Sequence, residues 1–167
     1  MAGPARSRFD RQRDVVSMSD VIGVPKFERL FRKAAQLDVD KNDIRRLGDF
    51  LNDELFRLVV RGEANAKANG RDVIEPWDLP VTAGLQERTQ EFRRLDEDVD
   101  VQPILDDLGA RPPLDLALSE ETEARLPELL GGLLVALART MKETDPDVKN
   151  PATEHWERAQ RLFALLL

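Results

Sequence analysis

The chain has one histidine, no cysteine and no tyrosine, so few of its side chains suit covalent or acid–base chemistry. His155 lies next to Glu154 and two residues before Glu157, near the start of an amphipathic stretch. General acid–base work needs a histidine held by a partner in a pocket, and zinc needs three further ligands of suitable type. Its position favours a helix-face or capping role instead. Asp38-x-Asp40-x-Asn42 imitates the opening of a calcium loop, where oxygens at alternate positions converge on the ion. The imitation fails at its sixth position, where Asp43 replaces the required glycine, and at its twelfth, where Asp49 replaces a bidentate glutamate. The same residues suit a helix start, with Asp40 as N-cap and Asp43 in the first turn against the positive end of the dipole. Gly131-Gly132 is not a phosphate loop, because no Lys-Ser pair follows and leucines surround it. Lacking thiols, the chain has no disulfide, thiolate metal site or cysteine nucleophile. These residues predict a protein that is not an enzyme, with no cofactor, no metal and no small-molecule substrate.

Charge is the remaining route to a ligand, and it is unevenly placed. Residues 1–83 hold 15 Lys and Arg against 14 Asp and Glu, whereas residues 84–167 hold 10 against 18, giving the net charge of -7. A face that neutralises phosphate should be basic, and candidates for one lie in the first half. Lys26, Arg29, Arg32 and Lys33 share the outer face of a short helix and make the densest basic patch outside the N-terminal arm. Lys41, Arg45, Lys67 and Arg71 complete the candidate DNA contacts. Residues 1–17 read as a disordered basic arm, with Arg6, Arg8, Arg11 and Arg13 interrupted by two aspartates and almost no apolar content. Met18-Ser19-Asp20-Val21 offers an alternative start.

The elements that must hold these residues are helical. From Asp43 to Ala68, Ile44, Leu47, Leu51, Leu55, Leu58, Val59, Gly62 and Ala66 recur every three or four positions, one stripe along a helix about 40 Å long. A short helix beginning near Pro25, with Phe27, Leu30, Phe31 and Ala34 as its stripe, precedes it. Asn69-Gly70 stops the long helix, Asp72-Val73-Ile74 can add strand residues, and the Pro76-Trp77-Asp78-Leu79 turn supplies further apolar cover. A polar helix runs from Thr82 to Leu95, and the acidic residues 96–100 read as a linker that repels DNA. The outline then recurs in residues 101–167. Val101 to Leu108 form a short helix, and Ser119 caps a long stretch with Leu126, Leu130, Leu133, Leu134, Leu137 and Met141. A last helix starts at Pro151 with Trp156, Ala159, Leu162, Phe163 and Leu166 on one side. Pro127 should kink or delay the second long helix, and Gly131-Gly132 either weaken it or permit a close backbone approach. Each long stripe exceeds what its own short helices can cover. The two are therefore expected to cross in one core, with Val39 near Val148 and Val73 near Leu116. Nothing resembles a secretory apolar region and no apolar run approaches the ~20 residues of a membrane span, so a soluble cytoplasmic protein without membrane contact is expected.

The order short helix, long helix, short helix, together with Gly70-Arg71-x-Val73-Ile74-x-x-x-Asp78-Leu79, resembles the histone fold. The turn resembles the second loop of archaeal histones and of CCAAT-binding-type histone-fold subunits, and the resemblance implies that Arg71 pairs with Asp78 as a structural clamp. Over roughly Met18 to Leu167 the chain resembles the bacterial single-chain histone-fold family. That implies an all-α fold in which residues 18–95 and the divergent residues 101–167 form an intramolecular handshake pseudodimer. Two functions remain open. One is a protein-interaction or assembly module that binds a protein partner or itself. The alternative is a nucleoid-associated protein that binds duplex DNA weakly, without sequence specificity, through the first unit.

Overall fold

The computed structural model describes residues 23–167; the arm expected over residues 1–17 lies outside the described residues. The fold is all-α, with one very short parallel bridge. Helix α1 (Val24–Ala35) carries proline in its first turn, ends on left-handed Gln36, and buries Phe27, Leu30, Phe31 and Ala35. Ala35 takes the inward place expected of Ala34, because it lies one full turn beyond Phe31. Helix α2 (Lys41–Ala68) starts as expected, with Asp40 as N-cap and Asp43 in the first turn, at a reciprocal capping box. The Asp43 amide donates to Asp40 Oδ1 at 2.9 Å, and the Asp40 amide donates to Asp43 Oδ2 at 2.9 Å. All eight residues of the expected stripe are buried.

Strand β1 (Val73–Ile74) follows Gly70, whose φ of 70° is the left-handed conformation glycine supplies there. It pairs in parallel with β2 (Ala117–Leu118), Val73 opposite Ala117 and Ile74 opposite Leu118. The register is one residue beyond the expected Leu116, whose amide instead donates to Glu63 Oε2 at 3.0 Å. After a 3-10 turn (Pro76–Asp78), α3 (Ala83–Leu95) opens on Thr82, whose hydroxyl accepts from the Leu85 amide. Trp77 contributes little to the core: it is 69% exposed, and Leu79 fills the interior in its place.

Helix α4 (Gln102–Gly109) leads to α5 (Glu120–Thr144), which is capped by Ser119 and runs unbroken through Pro127. Proline removes one ladder donor there, while buried Leu126, Leu129 and Leu130 hold that turn in the core. Helix α6 (Thr153–Leu166) begins two residues after Pro151. Its stripe goes inward at Trp156, Ala159 and Phe163, but the next rung, Leu166, is 73% exposed. The body of the protein ends one turn before the helix does.

Helices α1 and α3 pack against α5, α4 packs against α2, and the two long helices pack against each other. Each half thereby covers the long helix of the other half. At one end β1 pairs with β2; at the other the Asp38 amide donates to the Lys149 carbonyl at 2.7 Å. Buried apolar side chains from both halves form one cluster. The α3–α5 contact is close at Gly131-Gly132. A Cβ on Gly131 would enter the Phe92 ring, and one on Gly132 would strike Thr89 Oγ1 and lie 3.0 Å from the Thr89 amide nitrogen. Of the two roles open to this pair, close approach is the one observed.

Candidate functional site

Arg71 and Asp78 meet at the end of α2. The Arg71 backbone amide closes the helix by donating to the Ala66 carbonyl at 2.9 Å, which aims its side chain across the loop. Nη1 donates to Asp78 Oδ2 at 2.7 Å and Nη2 to Oδ1, a two-point fork. The Glu75 amide also donates to Oδ2, at 2.8 Å, and Asn65 Nδ2 donates to the Asp78 carbonyl at 2.7 Å. The aspartate side chain is 1% exposed and the arginine 31%. One guanidinium face lies 5.6 Å from the centroid of the Trp77 ring.

The basic patch on α1 is occupied by the protein's own carboxylates. Lys33 Nζ lies 2.7 Å from Glu97 Oε1, Arg29 Nε lies 3.5 Å from Glu97 Oε2, and Lys26 Nζ lies 3.1 Å from Asp98 Oδ2. Arg32 pairs with Asp38 at 3.2 Å. Hydrogen bonding from Lys33, together with the charges of Lys33 and Arg29, holds the Glu97 carboxyl below its usual range. Lys67 Nζ lies 2.6 Å from Asp115 and 3.6 Å from Glu63, and its hydrogen bond to Asp115 raises its pKa above the ordinary lysine value. Lys41 is exposed at the start of α2, and Arg45 is exposed one turn before Asp49. Of the eight candidate phosphate contacts, Lys26, Arg29, Arg32, Lys33, Lys67 and Arg71 lie beside acids of the same chain.

The lone histidine does structural work. The Ala152 amide donates to His155 Nδ1 at 2.9 Å, so the ring proton sits on Nε2 and is donated to Asp145 Oδ2 at 2.9 Å. The ring thus caps α6 and pins the 145–150 loop. Its hydrogen bond holds the Asp145 carboxyl below its usual range. Among the described residues, no group of three or more His, Cys, Asp or Glu side chains is placed to hold a metal ion.

Sequence reasoning missed two other polar ties. Arg111 pairs with Asp53, donates to Asn52 Oδ1, and lies 4.8 Å from the Phe56 ring centroid, while Asn52 Nδ2 donates to the Ile104 carbonyl at 3.0 Å. That network fastens α4 and the loop after it to α2. Glu91, 8% exposed, accepts from Arg139 at 2.9 Å and fastens α3 to α5. Neither tie has a local signal, since the partners lie about 50 residues apart and each looks like an ordinary surface charge in its own helix.

Glu54 shows what burial does to an acid on α2. It is 5% exposed, has Arg57 Nη1 at 3.1 Å, and burial raises its pKa. A carboxyl whose folded pKa is raised costs stability while ionised, and the cost vanishes once the pH falls below its unfolded value near about 4.3. Glu54→Gln is therefore expected to raise the urea midpoint at neutral pH and leave it unchanged near about pH 3.5, where both side chains are neutral. A variant weaker than the parent at both pH values would show that the Arg57 pair outweighs desolvation.

Comparison with known proteins places this architecture in a family. The fold aligns with the crystal structure of a Thermus thermophilus protein at a TM-score of 0.82 and 56% identity, over 88% of this chain and 99% of that one. An Aquifex aeolicus crystal structure aligns at a TM-score of 0.76 and 25% identity, over 87% and 96% of the two chains. An uncharacterised protein of Aquifex aeolicus (strain VF5) is 26% identical over 155 residues, 93% of this chain and 90% of its own length. The match to the domain of unknown function DUF1931 spans residues 27–164, from the first turn of α1 to the last of α6, and the chain belongs to that family.

Proposed function

We propose that the chain is a histone-fold protein whose two halves form an intramolecular handshake, and that it acts without catalysis as a protein-interaction and assembly module. The handshake reading is supported by short helices of each half covering the long helix of the other, by loops paired at both ends, and by the Arg71–Asp78 fork. One observation carries the functional choice. Lys26, Arg29, Arg32, Lys33, Lys67 and Arg71, six of the cations that would meet phosphate, already face Glu97, Asp98, Asp38, Asp115, Glu63 and Asp78. Opening those pairs for DNA would bring acids up against the phosphates, and the second half adds further negative charge.

The test is an anisotropy titration with duplex DNA at two salt concentrations, on the full chain and on residues 18–167. The shortened chain is expected to give no binding at either salt. The nucleoid-associated alternative requires weak binding that ignores sequence, with log affinity falling against log salt at a slope of about -3 to -5 for three to five neutralised phosphates. That slope, abolished by combined charge reversal at Lys41 and Arg71 in a chain that still melts cooperatively, would replace the module reading.

A further inference from the structure

Asn69 is the one asparagine in the sequence that precedes a glycine. That pairing bears on chemistry as well as on turns. A backbone nitrogen can attack the side-chain carbonyl carbon of the asparagine before it, and glycine leaves that nitrogen without a Cβ beside it. Both residues are exposed at the end of α2, and the space where a side chain on Gly70 would stand is open, so water reaches the amide. The folded geometry nevertheless holds the two reacting atoms apart. Asn69 has a ψ of 15°, which turns the Gly70 nitrogen towards the Asn69 amide nitrogen and away from its side chain. Asn69 Nδ2 donates to the Asn65 carbonyl at 2.8 Å, the Gly70 amide to the Lys67 carbonyl at 3.0 Å, and the Arg71 amide to the Ala66 carbonyl at 2.9 Å. The fork to Asp78 then fixes Arg71 itself.

We propose that Asn69 is a self-modification site of the folded protein, and that the Arg71–Asp78 clamp sets its rate. In the first step the Gly70 nitrogen gives its proton to solvent and bonds to Asn69 Cγ, the Cγ–Nδ2 bond breaks, and the departing nitrogen takes up a proton and leaves as ammonia. The product is a cyclic succinimide. Water then opens the ring at either carbonyl, giving aspartate in one case and a β-linked isoaspartate in the other; nothing is oxidised or reduced. Closing the ring requires rotation about ψ of Asn69, which pulls the Gly70 and Arg71 amides off their carbonyls and carries Arg71 away from Asp78. The reactive state is therefore a local opening of the last turn of α2, and its population follows from the strength of the clamp. The other asparagines lack the chemistry: Asn42 and Asn65 precede residues with a Cβ, Asn52 is buried, and Asn150 precedes Pro151, which has no N–H. Conversion also undoes the lock. A carboxylate cannot donate to the Asn65 carbonyl, its charge stands at the negative end of the helix dipole, and isoaspartate lengthens the backbone two residues before Arg71.

The test is incubation of the full chain in heavy-oxygen water at mildly alkaline pH, well below its melting temperature, followed by peptide mapping by mass. Position 69 is expected to gain one heavy oxygen as a mixture of aspartate and isoaspartate, ahead of Asn42 and Asn65 and more slowly than in the same chain unfolded in urea. Arg71→Ala should speed the conversion on the order of tenfold, and Arg71→Lys by less. His155→Ala removes a cap at the opposite end of α2, where Trp156 meets Asp43, and should leave the rate at position 69 unchanged although it weakens the fold. Three results overturn the proposal: no heavy oxygen at position 69 in either the folded parent or Arg71→Ala, equal rates in the folded and unfolded parent, or a rate in the Arg71 variants no higher than the parent's. Equal acceleration by His155→Ala and Arg71→Ala does so too, because the gate would then be global unfolding. Where Arg71→Ala fails to fold, Arg71→Lys carries the comparison.

Discussion

Gly132→Val is expected to destabilise the protein by about 3 kcal/mol, at the upper end of what overpacking costs. In a chain of this length that lowers the melting temperature by roughly 6–12 °C. The obstacle is backbone: a Cβ at 132 lies 3.0 Å from the Thr89 amide nitrogen and 3.2 Å from its Cα, so α3 itself must lift from α5. Lifting it strains the Glu91–Arg139 pair and loosens Phe92, which spreads the cost along the whole contact. Gly131→Ala also clashes: its Cβ would lie 2.5 Å from Phe92 Cγ, which spinning of the ring does not move, so the whole phenyl must shift from its place against α5. Both alanine variants, Gly131→Ala and Gly132→Ala, are expected to be less stable than the parent, and each less destabilised than Gly132→Val. Thermal and urea denaturation of the set would check the order, and equal stability of Gly132→Val and the parent would mean that α3 does not dock where described.

Arg71→Ala is expected to cost about 2–3 kcal/mol, between the value of an exposed pair and that of a fully buried one. The asymmetry of burial sets this figure. Asp78 is 1% exposed and would be left with the Glu75 amide as its remaining side-chain partner, while the half-exposed Arg71 would be lost at little desolvation gain. Arg71→Lys should recover only part of the loss, because an ammonium group cannot make the two-point fork. A cycle with Asp78→Ala should show a coupling of at least about 1 kcal/mol; strictly additive losses would mean that the two side chains act independently.

Much of this fold could be read from local sequence because its elements are set by local rules. The stripe of α2, the Asp40–Asp43 box and the Ser119 cap each depend on residues within a turn or two of one another. The Arg71–Asp78 pair is legible for a different reason: a seven-residue loop motif carries it. What the sequence hid was the use of charge. Residues 96–100 read as a linker because four acids in five positions have no local partner, yet Glu97 and Asp98 reach Lys33, Arg29 and Lys26 some 64–72 residues away. The basic face of α1 looked free for the same reason. Trp77 and Leu166 show the converse limit, since periodicity marks which side of an element is apolar but not whether anything stands opposite it.

The exchange of partners between the halves has a consequence for biosynthesis. When Leu95 leaves the ribosome, α1, α2 and α3 have all been made, but α5, against which α1 and α3 pack, is still to come. Roughly 50 further residues must be added before Thr144 completes it, a delay of about 2–10 s at ribosomal rates. During that interval Phe27, Leu30 and Phe31 on α1 and the full row on α2 have no second long helix to cover them. Those uncovered side chains make the nascent chain prone to aggregation until α5 is complete. Folding afterwards must close contacts as distant as Asp38 with Lys149, so this helical protein should reach its native state more slowly than a bundle of sequential hairpins of equal length.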